Sequence, residues 1–205
     1  MMARNPPRRF IPVVVLLAGF AILGAGAFLA LSLHETPRGA AGTLLASAIG
    51  GPFRLVDQNG KTVTDGDLKG KWSLVYFGYT HCPDACPTAL NDISIALDEL
   101  GPKRGAVRPV FITVDPERDT PEVLKAYVTS FDAPILALTG TREEIAQAAK
   151  DYRVYYAKHA EAGGDYSMDH SSVIYVMDPQ GRFTASFTHE SSPEEIAERL
   201  KKLLS

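Results

Sequence analysis

The chain has 205 residues and a formal charge of −3, with 45% hydrophobic and 22% charged residues. Residues 1–33 hold three arginines (Arg4, Arg8, Arg9) and no acid, which leaves −6 for the remainder of the chain. That balance excludes a basic surface for nucleic acid, and the 172 residues after Leu33 suit one domain with a sizeable core.

In chain order, the first feature is Phe10 to Leu33, 24 positions without a charged side chain. As a helix they would span roughly 36 Å, enough for a hydrocarbon core of ~30 Å. The arginines before it put residues 1–9 in the cytoplasm and everything after Leu33 on the far side. The small residues Ala25-Gly-Ala27 offer a competing reading as a signal-peptide cleavage site. The run exceeds the usual ~7–15 residues of a signal's apolar region, which favours an uncleaved transmembrane anchor over residues 10–33. The expected location is therefore the inner membrane, single-pass, with the C-terminal part in the periplasm, or in the intermembrane space of a mitochondrion. Residues 34–50 are rich in Gly and Ala and read as a tether, on which Leu44, Leu45 and Ile49 could dock against the domain of residues 51–205.

Within that domain, Asn59-Gly60 between two short alternating runs signals a hairpin over Phe53–Val63. Trp72–Tyr79 is almost continuously apolar, as a central strand covered on both faces should be. Leu90, Ile93, Leu97 and Leu100 recur at helical spacing until Gly101-Pro102. A second buried strand covers Val107–Asp115. Asp119 or Thr120 then caps a helix with Pro121 near its first position. Pro134–Gly140 is another strand, and Thr141 with Glu144 forms a capping box for the next helix. Ser171–Phe187 reads as a hairpin turning at 178–181, and Ser192, Pro193 and Glu195 open a final amphipathic helix. Right-handed crossovers of these units predict an α/β domain with a mixed, largely parallel sheet and helices on both faces. The expected architecture is a thioredoxin-like fold with an added N-terminal β-hairpin, preceded by a single transmembrane helix.

The only two cysteines, Cys82 and Cys86, lie where the central strand ends and the next helix begins. Open α/β sheets usually bind ligands at such a place. A helical turn would put the two residues on one face with Cβ atoms ~5–6 Å apart. Two thiolates on one ion need sulfurs only roughly 4 Å apart, which rotamers can supply. A disulfide needs Cβ atoms at ~3.5–4.5 Å, so the turn would have to tighten or unwind. Pro83 and Pro87 leave the helix start undecided and the loop soft enough for both. The spacing favours metal without excluding a redox pair.

Of the five histidines, His34 lies beside the membrane, while His159 and His189 sit on polar segments that read as solvated. His81 adjoins Cys82, but adjacent side chains diverge. His170 precedes a strong strand whose N-terminal end faces the cysteine loop in a thioredoxin-like topology. Thioredoxins keep a cis-proline there; this chain has His170-Ser171 instead. That substitution suits a third ligand, against the plainer reading of a hydrogen-bonding histidine at a strand entrance. Two thiolates and an imidazole are a soft set that favours copper, Cu(I) above all. Structural zinc normally closes a tetrahedron of four, for which His81, Asp84, Met168 or water would have to serve. An open three-ligand site suits holding an ion and passing it on.

The stretches "GGPFRLVDQNG", "YFGYTHCPDACP", "VDPERDTPEVLKAY" and "DYSMDHSSVIYVMDPQG" together resemble the Sco/SenC family of copper proteins that assist assembly of cytochrome c oxidase. The resemblance implies that Cys82, Cys86 and His170 are copper ligands. It also implies a role in maturing the dinuclear copper A centre of oxidase subunit II, by delivering copper or reducing that centre's cysteines. The upstream copper donor and the thiol reductant are partners it leaves unidentified. Asp115 matches a recurrent motif of the family, read either as tuning of the cysteine loop or partner recognition, or as a carboxylate that orders its own turn with Pro116. On this reading the protein is a metallochaperone and not an enzyme. Two rivals remain, a thiol–disulfide oxidoreductase or peroxidase using Cys82 and Cys86, and a redox sensor. The three-residue spacing and His170 count against the first. A purely structural disulfide would close too small a ring to constrain the unfolded chain much.

Overall fold

The structure is a computed structural model, and it describes residues 49–161, 163–188 and 190–205. The expected anchor at 10–33 and most of the tether lie outside the described residues. Among the described residues, no helix is long and apolar enough to cross a membrane. At the tether's end, Ile49 packs against the core and the Gly50 N–H donates to Asp151 O at 2.9 Å.

The chain opens with the hairpin β1 (Arg54–Asp57) and β2 (Thr62–Thr64), then a single turn of helix, α1 (Asp65–Leu68). Asp57 ties the hairpin turn by accepting from Asn59 N and Lys61 N, while Gly60 takes the positive φ (+80°) that the turn requires. The central strand β3 (Trp72–Gly78) leads into α2 (Ala85–Asp98) and a 3-10 helix, Gly101–Ala106. Next come β4 (Val107–Thr113), α3 (Pro121–Val128), β5 (Leu136–Thr139) and α4 (Arg142–Asp151). The order ends with β6 (Tyr156–Ala160), β7 (Tyr166–His170), β8 (Val173–Met177), β9 (Phe183–Thr188) and α5 (Pro193–Leu203). Helix starts obey the sequence signals. Thr120 Oγ1 accepts from Val123 N with Pro121 at the first position, and Thr141–Glu144 and Ser192–Glu195 form reciprocal capping boxes.

Seven strands form one sheet in the order β2-β1-β5-β4-β3-β8-β9. Leu74, Val75, Tyr76 and Phe77 are all fully buried. Since consecutive strand residues point to opposite faces, β3 is covered on both sides. Helices α2 and α5 pack on one another, α3 lies against β5 and α4 against β1.

Two expectations need correcting. The sheet is mixed but not largely parallel: only β3–β4 and β4–β5 run parallel, and the other four pairings are antiparallel. Only strands joined by helical crossovers are parallel, and the terminal hairpins add antiparallel partners at both edges. The second correction is an additional hairpin. Residues 156–170, a polar connection by their composition, form β6 and β7, a separate two-stranded sheet with Tyr156 opposite His170. Only Met168 of the two strands is buried, the rest being half-buried or exposed, so neither shows the one-sided alternation that betrays a strand.

Candidate metal centre

The site begins where β3 runs out. Cys82 N donates to Tyr79 O at 3.3 Å in a tight turn, and α2 starts three residues later at Ala85. Its N-cap residue, Asp84, makes no capping bond from its side chain. The Cys86 N–H, one of the orphan donors of the first turn, instead donates to Cys82 Sγ at 3.4 Å. Cys82 therefore sits at the positive end of a helix, in place of a capping oxygen. Pro87 falls in the first turn, where a missing N–H costs nothing.

Cys86 is fully buried and Cys82 half-buried, and both are free thiols. The Cys86 thiol has room only because residue 78 lacks a Cβ. A Cβ on Gly78 would lie 2.6 Å from Cys86 Sγ, 2.9 Å from the Phe111 ring and 3.2 Å from the Tyr76 ring. Gly78→Ala should therefore destabilise the fold by about 1–3 kcal/mol, as overpacking a tight core does, and expel the sulfur from its notch. Denaturant unfolding and the alkylation rate of Cys86 check this; wild-type values for both would show that the notch has slack.

His170, the last residue of β7, reaches the cysteines from the other side. Its Nε2 lies 3.3 Å from Cys86 Sγ. The rings of Tyr76 and Tyr79 meet the imidazole edge-on, with centroids at 6.0 and 5.8 Å, and fix its plane. Its Nδ1 is buried with no partner among the described residues. Without an ion, a proton on Nε2 can donate to a thiolate; the tautomer with its proton on Nδ1 would instead offer the Nε2 lone pair to an ion.

Ligand atoms of Cys82, Cys86 and His170 all lie within 4.8 Å of one another. Bonds of about 2.0–2.3 Å span at most roughly 4.6 Å across an ion, so a shift of a few tenths of an ångström would close the set. The two sulfurs are electrostatically unequal. Cys82 is pulled well below the ordinary thiol range, chiefly by a side-chain hydrogen bond from Cys86, with help from His170 and the N–H groups of Asp84 and Cys86. Cys86 is pushed up as donor in that pair and by burial. Of the pair, Cys82 is the sulfur that gives up its proton more readily.

The other sequence candidates do not join this group. His81 is exposed, with Nδ1 3.1 Å from Thr80 Oγ1, and His159 pairs with Asp169 at 2.8 Å on the exposed hairpin. His34 and His189 lie outside the described residues. Asp84 is exposed and takes a 3.4 Å bond from Thr88 Oγ1. Asp115 is buried, accepting from Arg118 Nε at 2.5 Å and from the Tyr166 hydroxyl at 2.8 Å. Its N–H donates to Thr113 Oγ1 at 2.9 Å, while its carboxylate ties its own turn through Arg118 and reaches the His170 hairpin through Tyr166.

Sequence reasoning missed Gly78, Thr80, Asp119 and Tyr166. Asp119 stands in the sequence only as an alternative cap, yet its buried carboxylate accepts from Thr80 N, Thr80 Oγ1 and Thr113 Oγ1 at 3.0, 2.6 and 2.6 Å.

The chain is similar to known proteins. The SCO1/SenC family model matches residues 41–205. The mitochondrial protein SCO1 homolog 1 of Arabidopsis thaliana is 44% identical over 157 residues, 76% of this chain. That match spans 47% of the Arabidopsis protein, about half its length. An SCO2-like protein of Rickettsia felis is 41% identical over 187 residues, covering 88% of this chain and 91% of its own. Among solved structures, ScoI of Bradyrhizobium japonicum with copper bound is 53% identical, with a TM-score of 0.71 over 76% of this chain and 99% of its own.

Proposed function

The chain belongs to the SCO1/SenC family, and from that premise we propose that it is a membrane-anchored copper chaperone serving assembly of cytochrome c oxidase. Its cargo is one copper ion, held by Cys82, Cys86 and His170. The observation that carries the reading is the convergence of two sulfurs and one imidazole nitrogen within 4.8 Å. The donor set fits the ion: thiolate and imidazole are ligands that soft Cu(I) accepts at low coordination number. A likeness to a ScoI solved with copper bound supports the same choice.

The recipient in this reading is the dinuclear copper A centre of oxidase subunit II, with this domain anchored by residues 10–33 and facing the periplasm or intermembrane space. The protein acts by handing over copper, by reducing the recipient's cysteines, or both, and is not an enzyme in the first role. One observation favours the second role. Cys82 has the depressed pKa and partial exposure of an attacking thiol, with Cys86 beside it to resolve a mixed disulfide. A thiol–disulfide oxidoreductase or redox sensor would use the same pair.

The test is complementation. Cells lacking this chain should lose activity of a copper A oxidase, wild type should restore it from the membrane fraction, and Cys86→Ser should not. Added copper should partly rescue Cys86→Ser if delivery dominates, and a membrane-permeant thiol reductant if reduction does. Full oxidase activity with Cys86→Ser would overturn the assignment.

A further inference from the structure

Both segments that supply the site leave the seven-stranded sheet. The cysteine loop, residues 79–84, comes after the last ladder position of β3, and His170 ends a hairpin that belongs to the other sheet. The nearest strand pairing, β3–β8, reaches only Tyr76↔Ile174, four residues from His170 and six from Cys82. Beyond it side chains set the distance between thiols and imidazole, and they converge on one stretch, the connection from β4 to α3 at residues 113–120.

From that stretch, Asp119 reaches the cysteine loop. Its fully buried carboxylate takes both the N–H and the hydroxyl of Thr80, two residues before Cys82, while Thr113 steadies it from the end of β4. A carboxylate without solvent is costly unless its oxygens are occupied, and these three short bonds occupy them. Burial nonetheless holds its pKa up, against the bonds from Thr113 and Thr80.

On the opposite side, Asp115 and Arg118 reach the His170 hairpin. Asp115 accepts from the Tyr166 hydroxyl at 2.8 Å and from Arg118 Nε. Arg118 Nη1 donates to Tyr166 O at 2.9 Å, and its guanidinium lies 3.7 Å from the Tyr166 ring centroid. Lys158 covers the ring from β6 at 3.6 Å and pairs with Glu117 at 3.1 Å. The ring is thus held between two cations, with its hydroxyl anchored.

We propose that the 113–120 connection is a two-armed clamp in which Asp119, through Thr80, positions the thiol half of the site, while Asp115 and Arg118, through Tyr166, position the imidazole half. Tyr166, Thr80 and Asp119 are positioning residues. The inference rests on the reading of Cys82, Cys86 and His170 as one metal site, and it adds that the two halves are set separately. Disulfide formation bonds only the two sulfurs, with His170 a neighbour, whereas binding of an ion engages all three ligands, so the imidazole arm should weigh far more on metal affinity than on the disulfide.

The separation gives the experiment. Cu(I) affinity of the full-length reduced protein is measured by competition with a chelator. The Cys82–Cys86 midpoint is measured without metal in a dithiol redox buffer, and folding is checked by circular dichroism. Tyr166→Phe, which keeps the ring between its cations, should lower Cu(I) affinity roughly 10–100-fold, as loss of an outer-shell partner does, and move the midpoint by well under tenfold. Asp119→Ala should lower Cu(I) affinity similarly and favour the disulfide about tenfold, a shift of about 30 mV towards more negative potential. Asp119→Asn can still accept from Thr80 N and Thr113 and donate to the Thr80 hydroxyl, so it should stay near wild type in both. Should Asp119→Ala fail to fold, Thr80→Val removes only the hydroxyl bond and should move both readouts in the same directions. A midpoint shifted about tenfold or more by Tyr166→Phe, or unshifted by Asp119→Ala and Thr80→Val, would overturn the clamp. So would an Asp119→Asn variant that behaves like Asp119→Ala. Wild type that binds no Cu(I) would instead sink the metal-site reading, leaving the midpoint data to judge the thiol arm alone.

Discussion

The reduced protein should take up one equivalent of Cu(I), and the same protein with a Cys82–Cys86 disulfide should bind it roughly 10⁴-fold more weakly. The magnitude comes from ligand count. Closed zinc sites with four protein ligands are worth about 10–16 kcal/mol, or roughly 3 kcal/mol per ligand. Oxidation removes two of three ligands at once, forfeiting about 6 kcal/mol, and about 1.4 kcal/mol is tenfold. His170 alone is then an ordinary half-buried imidazole. The measurement is a chelator competition on the reduced and the oxidised protein, with thiol content counted in each. Equal affinity in both states would mean that the sulfurs are not the ligands.

Replacing His170 by Ala should cost about one ligand's share, near 10²-fold in Cu(I) affinity, and should shift any Cu(II)–thiolate absorption. The fold should survive. His170 stands at the end of a peripheral hairpin, and its ring touches Tyr76 and Tyr79 edge-on without a hydrogen bond from Nδ1 among the described residues. In cells the variant should impair oxidase maturation about as much as Cys82→Ser or Cys86→Ser, with excess copper giving partial rescue. An oxidoreductase would behave differently, because disulfide exchange needs both sulfurs and no imidazole ligand. Unchanged copper affinity in a folded His170→Ala protein, together with normal oxidase activity, would establish the oxidoreductase reading in place of the three-ligand site.

Elements governed by local chemistry were readable from the chain. The caps at Thr120, Thr141 and Ser192 lie within three residues of the N–H groups they satisfy, so the sequence displays them directly. The almost continuous apolar run of β3 likewise marks an interior strand of the sheet. Topology puts His170 near the cysteines, where a redox fold would carry proline, and its side chain lies beside them. What stayed hidden is long-range. Thr80 and Asp119 are 39 residues apart and Asp115 and Tyr166 are 51 apart, and nothing in either pair's neighbourhood points to the other. Gly78 looked like any strand end, because its notch exists only once Cys86, Phe111 and Tyr76 converge on it. The β6–β7 hairpin escaped because it packs only lightly, with Met168 its one well-buried side chain.

The notch beside Gly78 also gives the site a direction. Cys86 is sealed beneath the surface, whereas Cys82 and His170 each show an edge to solvent. An incoming donor atom from an acceptor protein can approach an ion held here only from that open rim. Exchange would then proceed stepwise: the bonds at the rim yield first, the newcomer's bonds replace them, and the buried sulfur lets go last. The ion would stay bound to at least one side throughout and never enter water free. On the delivery reading, a carrier built this way would release its load to a competing ligand at close contact and hold it against simple dissociation.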